Sequence, residues 1–362
     1  AAQARLLAGL TSVADWIGSG RHFENPQEPW KDKISLALDD AGFVPVSCKS
    51  GLNFETAFGF LPRTAQSLLI DQVSTPGVYV LEAPMGLGKT EAALFAAYSM
   101  MESEQATGIY FALPTQLTSN KIFERFQRFL DQVLEDDCEH RSLLLHANAW
   151  MLETEMGEEG RPGGAWFNQS KRGLLAPFAV GTIDQALMAA MNVKHGFVRA
   201  FGLAGKVVIL DEVHTYDAYT STLLEALVGL LRELQCTVII LSATLNQELR
   251  EQLLARQTTA TDYPLITASP NKFEIVQELT VPAAERRDVL ISLHADQSGA
   301  IEQALLRAEQ GQQVLWIENT VKDAQQRYLD LAARATGLGV ACGLLHSRFT
   351  VDDRQQIEDQ WV

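Results

Sequence analysis

The sequence has little of what disulfide-bonded, zinc-binding or membrane-spanning proteins need. Its four cysteines lie far apart in a chain of 362 residues, at Cys48, Cys138, Cys236 and Cys342. This spacing fits neither a disulfide framework nor a zinc site, so we expect reduced thiols in a cytoplasmic protein. The longest stretch with few charges, residues 174–191, is interrupted by a proline, a glycine and an aspartate. It is therefore not predicted to cross a membrane.

Positive charge is also scarce. The chain carries 29 Lys and Arg residues against 45 Asp and Glu residues, which gives a net charge of −16. Because nucleic-acid phosphates are contacted mainly by Lys and Arg, this balance lowers the expectation of tight nucleic-acid binding. The acids, however, are concentrated within residues 135–159, and small basic clusters occur at residues 121–128 and 171–172. A groove can be locally positive on an acidic protein, so the net charge does not exclude this class of function.

What is present is an alternation of strands and helices that begins near residue 66 and is typical of a parallel α/β sheet. Residues 1–20 have the spacing of a helix, and residues 21–65 are predicted to be a connector. We predict strands at residues 78–81, 109–113, 207–210 and 238–241, and helices at residues 90–101 and 118–134. Residues 150–172 are predicted to be a surface insertion, and a second alternation starts with a strand at residues 314–317.

Three of the predicted strands run into loops that carry polar residues. In a parallel sheet these loops lie at the carboxyl edge of the strands, where such folds bind ligands. The first loop and the residues after it are candidates for holding a nucleoside triphosphate: Ala83, Pro84, Met85, Gly86, Leu87, Gly88, Lys89 and Thr90. Gly86 and Gly88 let the backbone N–H groups curl around a phosphate, Lys89 reaches the β- and γ-phosphates, and the Thr90 hydroxyl is suited to Mg²⁺.

The other two loops supply acids and a coupling segment. Asp211 is predicted to hold Mg²⁺ and Glu212 to orient or deprotonate the attacking water, the alternative being a solvated acidic turn. Ser242 and Thr244 follow the next buried strand and are predicted to link the γ-phosphate to a nucleic-acid groove. Gln66 precedes the first strand and is a candidate for reading adenine through its amide, unless it is an ordinary surface residue.

These motifs resemble those of superfamily 2 helicases of the DExD/H type. The stretches at residues 203–219 and 241–245 are similar to the CRISPR-associated helicase–nuclease family of type I interference systems, as are those at residues 171–177 and 180–185. Residues 319–321 and 346–349 resemble the start of that family's second motor domain. The resemblance implies a RecA-like P-loop fold with ATP and Mg²⁺ as cofactors. It divides the chain into a nuclease-domain helix (1–20), a connector (21–65), a first RecA-like domain (66–275) and the start of a second (276–362).

The resemblance also implies partners and their contacts. The partners are single-stranded DNA and the RNA-guided surveillance complex of type I systems. Thr115, Gln116 and Thr182 would lie along the DNA strand and grip its phosphates, although helix capping is an equally good interpretation of the two threonines. Arg348 would contact the same strand from the second domain.

In two places the sequence departs from the family. The nuclease is a histidine–aspartate metal domain in which Asp15 would be a ligand of a divalent transition metal, but no His-Asp dipeptide occurs in the chain. We therefore expect the nuclease to be absent and Asp15 to be structural. The second motor domain lacks the later motifs, with the arginines that reach the γ-phosphate. We expect this chain to bind ATP–Mg²⁺ but to hydrolyse it weakly.

Three functions remain open from the sequence. The first is an ATP-dependent motor that tracks single-stranded DNA in CRISPR interference. The second is a DExD/H helicase that acts on RNA, an interpretation that the residues around Tyr216 disfavour. The third is a nucleotide-gated adaptor in which ATP acts only as a switch.

Overall fold

The protein is described here by a computed structural model. The structure describes residues 2–25, 27–114, 119–136, 138, 145–146, 173–191, 193–213, 218–272, 275–282, 289–294 and 296–361. The chain divides into two compact units, Ala1–Ala284 and Glu285–Val362. The domain limits implied by the sequence are not tested by this division and stay predictions. No helix within the described ranges is long and apolar enough to cross a membrane.

The first unit is built on a sheet of eight strands. The strands are β1 (Gly77–Glu82), β2 (Ile109–Leu113), β3 (Leu145–His146), β4 (Phe178–Thr182), β5 (Val207–Leu210), β6 (Thr237–Ser242), β7 (Leu265–Pro270) and β8 (Gln277–Thr280). Their order across the sheet is β3-β4-β2-β5-β6-β1-β7-β8. The strands from β3 to β1 are mutually parallel, whereas β7 is antiparallel to β1 and β8 is antiparallel to β7.

Helices cover both faces of this sheet. The described helices of the first unit are α1 (Ala2–Gly18), α2 (Ile34–Asp40), α3 (Phe54–Phe58), α4 (Thr64–Gln72), α5 (Lys89–Glu102), α6 (Ser119–Val133), α7 (Ile183–Ala190), α8 (Gly196–Leu203), α9 (Ala218–Glu233) and α10 (Gln247–Leu254), of which α3 to α10 contribute to the cores on the two faces. Successive side chains of a strand point to opposite faces. Tyr79 and Leu81 of β1 therefore join the core under α3 to α6, and Val78 and Val80 join the core under α7 to α10.

The strands predicted at residues 78–81, 109–113, 207–210 and 238–241 are present, within a residue at each end. Every residue of these strands is buried, because helices cover both faces of the sheet. The predicted connector contains α2 and α3, and Phe54 of α3 is buried in the core. The predicted insertion at residues 150–172 lies outside the described residues.

The second unit contains α11 (Gln297–Glu309), α12 (Val321–Gly337) and α13 (Val351–Trp361). Ile301, Leu305 and Ala335 form its small buried core. The prediction of a strand at residues 314–317 was wrong, since this segment makes no strand pairing. A strand needs a hydrogen-bonded neighbour, and no described residue of this unit provides one. Leu315 is accordingly 85% exposed.

Candidate functional site

The ends of three neighbouring strands form the candidate site. β5, β6 and β1 lie side by side and parallel, so the residues that follow them emerge at the same edge of the sheet. A cleft of about 370 Å³ opens there. Its lining residues are Phe60, Arg63, Gln66, Met85, Gly86, Gly88, Lys89, Thr90, Glu91, Arg125, Asp211 and Glu212. The lysine and both acids predicted from the sequence thus line one cleft.

The loop after β1 has the backbone that its glycines predict. Gly86 has a φ of 80° and Gly88 a φ of 74°, a left-handed conformation that side chains disfavour. A Cβ atom on Gly88 would lie 2.2 Å from Nε2 of Gln66, whereas one on Gly86 would meet nothing within 4 Å. Gly88 is therefore required both for the turn and for the close approach of Gln66.

Lys89 begins α5 and points back over the loop. Its Nζ donates to the carbonyl oxygen of Ala83 at 2.7 Å and to that of Pro84 at 3.4 Å. The side chain is buried, which lowers the pKa of Lys89, while the charges of Glu212 and Asp211 act in the opposite direction. The ammonium group thus lies between the loop carbonyls and the two acids.

The acid pair has unusual electrostatics and an unusual backbone. Burial, and then the charge of Glu212, raise the pKa of Asp211 to about 6, against the influence of Lys89 and of the Glu212 N–H group. That N–H donates to Oδ1 of Asp211 at 3.1 Å. Glu212 has a φ of 54°, which costs about 1–2 kcal/mol for a residue with a Cβ atom. Residues 214–217, which include Tyr216, lie outside the described residues.

Gln66 is buried and links α4 to the loop. Its Oε1 accepts from the backbone N–H of Arg63 at 2.8 Å, and its Nε2 donates to the carbonyl oxygen of Gly88 at 2.9 Å. An amide has two donor hydrogens and two lone pairs on oxygen, so one donor and one lone pair are left for a ligand. The structure therefore gives Gln66 a bracing role that the sequence did not predict, in addition to its place in the cleft lining.

Sequence reasoning missed four lining residues: Phe60, Arg63, Glu91 and Arg125. The Phe60 ring is 45% exposed and meets Phe54 edge-on, with 5.5 Å between the ring centroids. The Arg63 guanidinium donates to the carbonyl oxygen of Gly86. Glu91 and Arg125 form an ion pair between α5 and α6. Since Arg125 lies far from the loop in sequence, only the packing of the helices reveals it.

The turn after β6 does not line the cleft but lies behind the loop. Ser242 is buried, its Oγ donates to the carbonyl oxygen of Thr244 at 2.8 Å, and its own carbonyl accepts from the N–H of Ala83. Thr244 is exposed.

The root of the loop is joined to the same turn by a buried carboxylate. Glu82 forms an ion pair with Arg250 at 2.7 Å, and each side chain is 5% exposed. Burial raises the pKa of Glu82, and Arg250 together with the N–H of Leu245 lowers it. The loop and the turn therefore share both a backbone contact and a buried charge.

The remaining candidates are placed as follows. Thr115 and Gln116 lie outside the described residues. Thr182 is buried at the N-cap position of α7, but its side chain makes no capping hydrogen bond. Arg348 is exposed in the second unit. Asp15 is exposed on α1, and no group of three or more metal-ligating side chains occurs among the described residues.

Comparison with known proteins agrees with the geometry of the cleft. Residues 63–252 match the DEAD/DEAH box helicase family, and residues 310–362 match the C-terminal region of the CRISPR-associated nuclease/helicase Cas3. The chain therefore belongs to the DEAD/DEAH box helicase family. The RecA-like α/β fold predicted from the sequence is confirmed.

Within that family the chain is similar to Cas3 proteins. It is 39% identical to Cas3 of Thermus thermophilus over 68% of this chain and 30% of that protein. It superposes on the crystal structure of T. fusca Cas3-ATP with a TM-score of 0.81 at 30% identity, covering 99% of this chain and 46% of that one. A chain of a CRISPR RNA-guided surveillance complex gives a TM-score of 0.68 at 28% identity, over 99% of this chain and 42% of that one. The resemblance noted from the sequence is confirmed, and the chain spans less than half the length of these relatives.

Proposed function

We propose that this chain is the nucleotide-binding part of an ATP-driven motor that moves along single-stranded DNA in CRISPR interference, together with a nuclease. The observation that carries the proposal is the convergence of Lys89, Asp211 and Glu212 on one cleft beside a glycine loop. The similarity to Cas3 proteins supports the choice of DNA and of CRISPR interference over the other functions left open by the sequence.

In this proposal the triphosphate lies along the loop with its base towards Gln66. The backbone N–H groups of residues 86–90 and the N-terminus of α5 favour an anion, and Lys89 supplies the positive charge. Phe60 offers a ring on which the adenine can stack. Glu212, which has a left-handed backbone at the end of β5, would orient the attacking water or accept a proton from it.

The oxygen donors of the cleft fit Mg²⁺. This ion is usually bound by one or two carboxylates, by waters and by the phosphates themselves rather than by a cage of protein ligands. Asp211 and the Thr90 hydroxyl are the cleft residues that would hold it. When bound, Mg²⁺ neutralises charge on the polyphosphate.

The DNA contacts and partners of this chain are part of the same proposal. Thr115, Gln116, Thr182 and Arg348 are proposed to lie along single-stranded DNA. The turn at residues 242–245 would connect that groove to the nucleotide, because the carbonyl oxygen of Ser242 accepts from the N–H of Ala83 and the N–H of Leu245 hydrogen-bonds the buried carboxylate of Glu82. The similarity to a chain of a CRISPR RNA-guided surveillance complex supports that complex as the partner.

Equilibrium binding of a fluorescent ATP analogue with Mg²⁺ tests the proposal. Lys89→Ala should weaken binding by about tenfold or more, because it removes a charged partner of the phosphates. Lys194→Ala, an exposed lysine outside the cleft, is the control and should bind as the parent does. Equal affinity of the Lys89 variant and the parent would overturn the nucleotide site.

Competition between unlabelled strands tests the choice of nucleic acid. Single-stranded DNA should displace a labelled DNA strand from the nucleotide-loaded protein at lower concentration than RNA of the same sequence. The reverse order would favour the RNA helicase instead.

A further inference from the structure

Arg199 is a half-buried cation to which the described residues bring no carboxylate. It lies on α8, and its Nη1 donates to Oε1 of Gln185 on α7 at 3.2 Å. Its Nε is buried and has no hydrogen-bond partner within the described ranges. Burial lowers the pKa of Arg199, and the group that acts in the opposite direction is the phenol of Tyr110. The guanidinium thus has an amide and a phenol near it, both of which are neutral at pH 7.

Other arginines with little exposure are paired differently. Arg250 is buried and pairs with Glu82, and Arg327 is half-buried and pairs with Glu318. Removing a cation from water without a nearby anion costs free energy, and a neutral hydrogen-bond partner offsets only part of that cost. A bound anion would offset more of it. The surroundings of Arg199 therefore resemble those of an anion ligand more than those of a structural ion pair.

Gln185 places this guanidinium beside the N-terminus of α7. It lies three residues after Thr182, the N-cap residue, and therefore on the same side of the helix. The Oη atom of Tyr110 donates to the carbonyl oxygen of Thr182 at 2.8 Å. The phenol that acts on Arg199 thus also contacts the start of α7, so β2, α7 and α8 each bring a polar side chain to this point.

The start of α7 is itself suited to an anion. The first N–H groups of a helix have no partner within the helix, and its N-terminus carries a partial positive charge. Thr182 is only 7% exposed, and its side chain makes no capping hydrogen bond. Asp184 of the first turn is exposed and does not pair with Arg199. A hydroxyl, the helix N-terminus and a guanidinium therefore lie close together.

This group of residues lies at the same edge of the sheet as the nucleotide cleft. α7 follows β4, which is parallel to β2, and β2 is parallel to β5. The residues after these strands therefore emerge at one edge. A strand of nucleic acid that contacts Thr182 would pass along the edge at which the nucleotide is proposed to bind.

We propose that Arg199, together with Thr182 and the N-terminus of α7, binds a backbone phosphate of the single strand. The inference rests on the proposed function, which places the strand at Thr182, and it adds a cation that the sequence did not reveal. It also addresses the net charge of −16, since one guanidinium with no paired acid makes its surroundings locally positive. A phosphate contact carries no base preference, which suits a motor that moves along any sequence.

The salt dependence of DNA binding tests the proposal. Fluorescence anisotropy measures the binding of a labelled oligothymidylate to the whole 362-residue chain, loaded with Mg²⁺ and a non-hydrolysable ATP analogue. Each phosphate contact adds about 0.7 to the slope of log affinity against log salt for a single strand. Arg199→Met should therefore lower the magnitude of this slope by about 0.7 and weaken binding by about tenfold at low salt.

Arg5→Met is the matched control. Arg5 is also half-buried, and its guanidinium donates to the carbonyl oxygens of Ala189 and Ala190 at the other end of α7. Its loss should loosen the same helix without removing a phosphate contact, so the slope should equal that of the parent. Arg199→Lys keeps the charge and should keep the slope while restoring part of the affinity.

Gln185→Glu tests the proposal without removing the arginine. A carboxylate at this position would pair with Arg199 inside the protein. The variant should unfold at a higher urea concentration than the parent, because the half-buried cation gains an anion. It should also bind the strand about threefold or more weakly and with a smaller slope, because the guanidinium is engaged. DNA binding equal to that of the parent would overturn the role of Arg199.

The outcomes separate this proposal from the function on which it rests. A parent that binds no single strand at low salt overturns the proposed DNA contacts, and this one with them. A parent that binds, with an Arg199→Met variant of unchanged slope, overturns the phosphate contact alone, even if affinity is lost. Urea denaturation shows which variants are folded. If Arg199→Met does not fold, Arg199→Lys and Gln185→Glu still decide the question.

Discussion

The two edges of the parallel sheet each hold a buried lysine, and the comparison separates a ligand site from a structural joint. At the carboxyl edge, Lys89 follows β1 and is influenced by the charges of Glu212 and Asp211. At the amino edge, Lys206 directly precedes β5 and donates to the carbonyl oxygens of Leu174, at 2.8 Å, and of Ala176. Burial lowers the pKa of both, and that of Lys206 falls to about 7.

Burial of a cation therefore does not by itself identify a functional group. Lys206 joins the 3₁₀ turn at Gly173–Leu175 to the start of β5, and the charge that opposes the lowering of its pKa is that of Cys236. Lys89 lies in an open cleft beside two carboxylates. What distinguishes them is the strand end at which each lies, since loops after parallel strands converge and are free to form a site.

If the carboxyl edge contributed only to function, changes there would leave stability unaffected. Arg250→Met tests this, and it has the largest expected effect. The change leaves Glu82 buried without its ionic partner, so the free energy of unfolding should fall by about 3–5 kcal/mol. Urea denaturation measures the loss. The double variant Glu82→Gln/Arg250→Met should be more stable than Arg250→Met alone, because it removes the isolated charge; the opposite order would show that the pair is not buried as described.

Glycines at the two edges offer a second contrast, with an intermediate effect. A Cβ atom at Gly108, before β2, would lie 2.0 Å from the backbone carbonyl oxygen of Pro177, which cannot move without breaking the sheet. At Gly88 the Cβ atom would meet the end of the Gln66 side chain, which can rotate away. Gly108→Ala should therefore destabilise the protein by about 1–3 kcal/mol, and Gly88→Ala by less.

The loss of ATP affinity should follow the opposite order and be greater in Gly88→Ala than in Gly108→Ala. Gly88→Ala displaces Gln66 and strains the loop, so we expect weaker ATP binding by the folded protein. Gly108→Ala, at the opposite edge, should bind ATP as the parent does once the folded fraction is taken into account. Urea denaturation and ATP titration of the same two preparations give both rankings. Loss of affinity in the Gly108 variant alone would contradict the division between the edges.

The sequence was sufficient for the elements whose information is local. Residues 207–210 are apolar and mostly β-branched, which predicts a strand buried on both faces, and the spacing from Gly86 to Thr90 predicts a phosphate loop. It was insufficient where the structure depends on residues that are far apart in the sequence. Whether residues 314–317 pair depends on a neighbouring strand, and the place of Arg125 depends on how α6 packs on α5. In the sequence, residues 314–317 are only an apolar run, and Arg125 is only a polar position on a helix.

The smallest effect concerns the pH dependence of stability at the amino edge. The folded-state pKa of Lys206, about 7, lies below its value of about 10.4 in an unfolded chain. Between these values the unfolded state binds more protons, so the contribution of Lys206 to the free energy of unfolding rises with pH. Lys206→Met lacks this contribution. The stability difference between parent and variant should therefore shift in favour of the parent by about 1 kcal/mol from pH 7.5 to pH 8.5.

Urea denaturation of both proteins at pH 6, 7.5 and 8.5 measures this difference. It should change little near pH 6, where Lys206 is mostly protonated in both states, and should grow above pH 7. Cys236 does not disturb the comparison, because burial raises the pKa of its thiol to about 12 and the same thiol is present in both proteins. A difference that stays flat up to pH 8.5 would mean that Lys206 remains charged in the folded protein. The carbonyl oxygens that contact Lys206 would then accept from an ammonium ion. The buried lysines at the two edges would differ less in charge than their surroundings indicate.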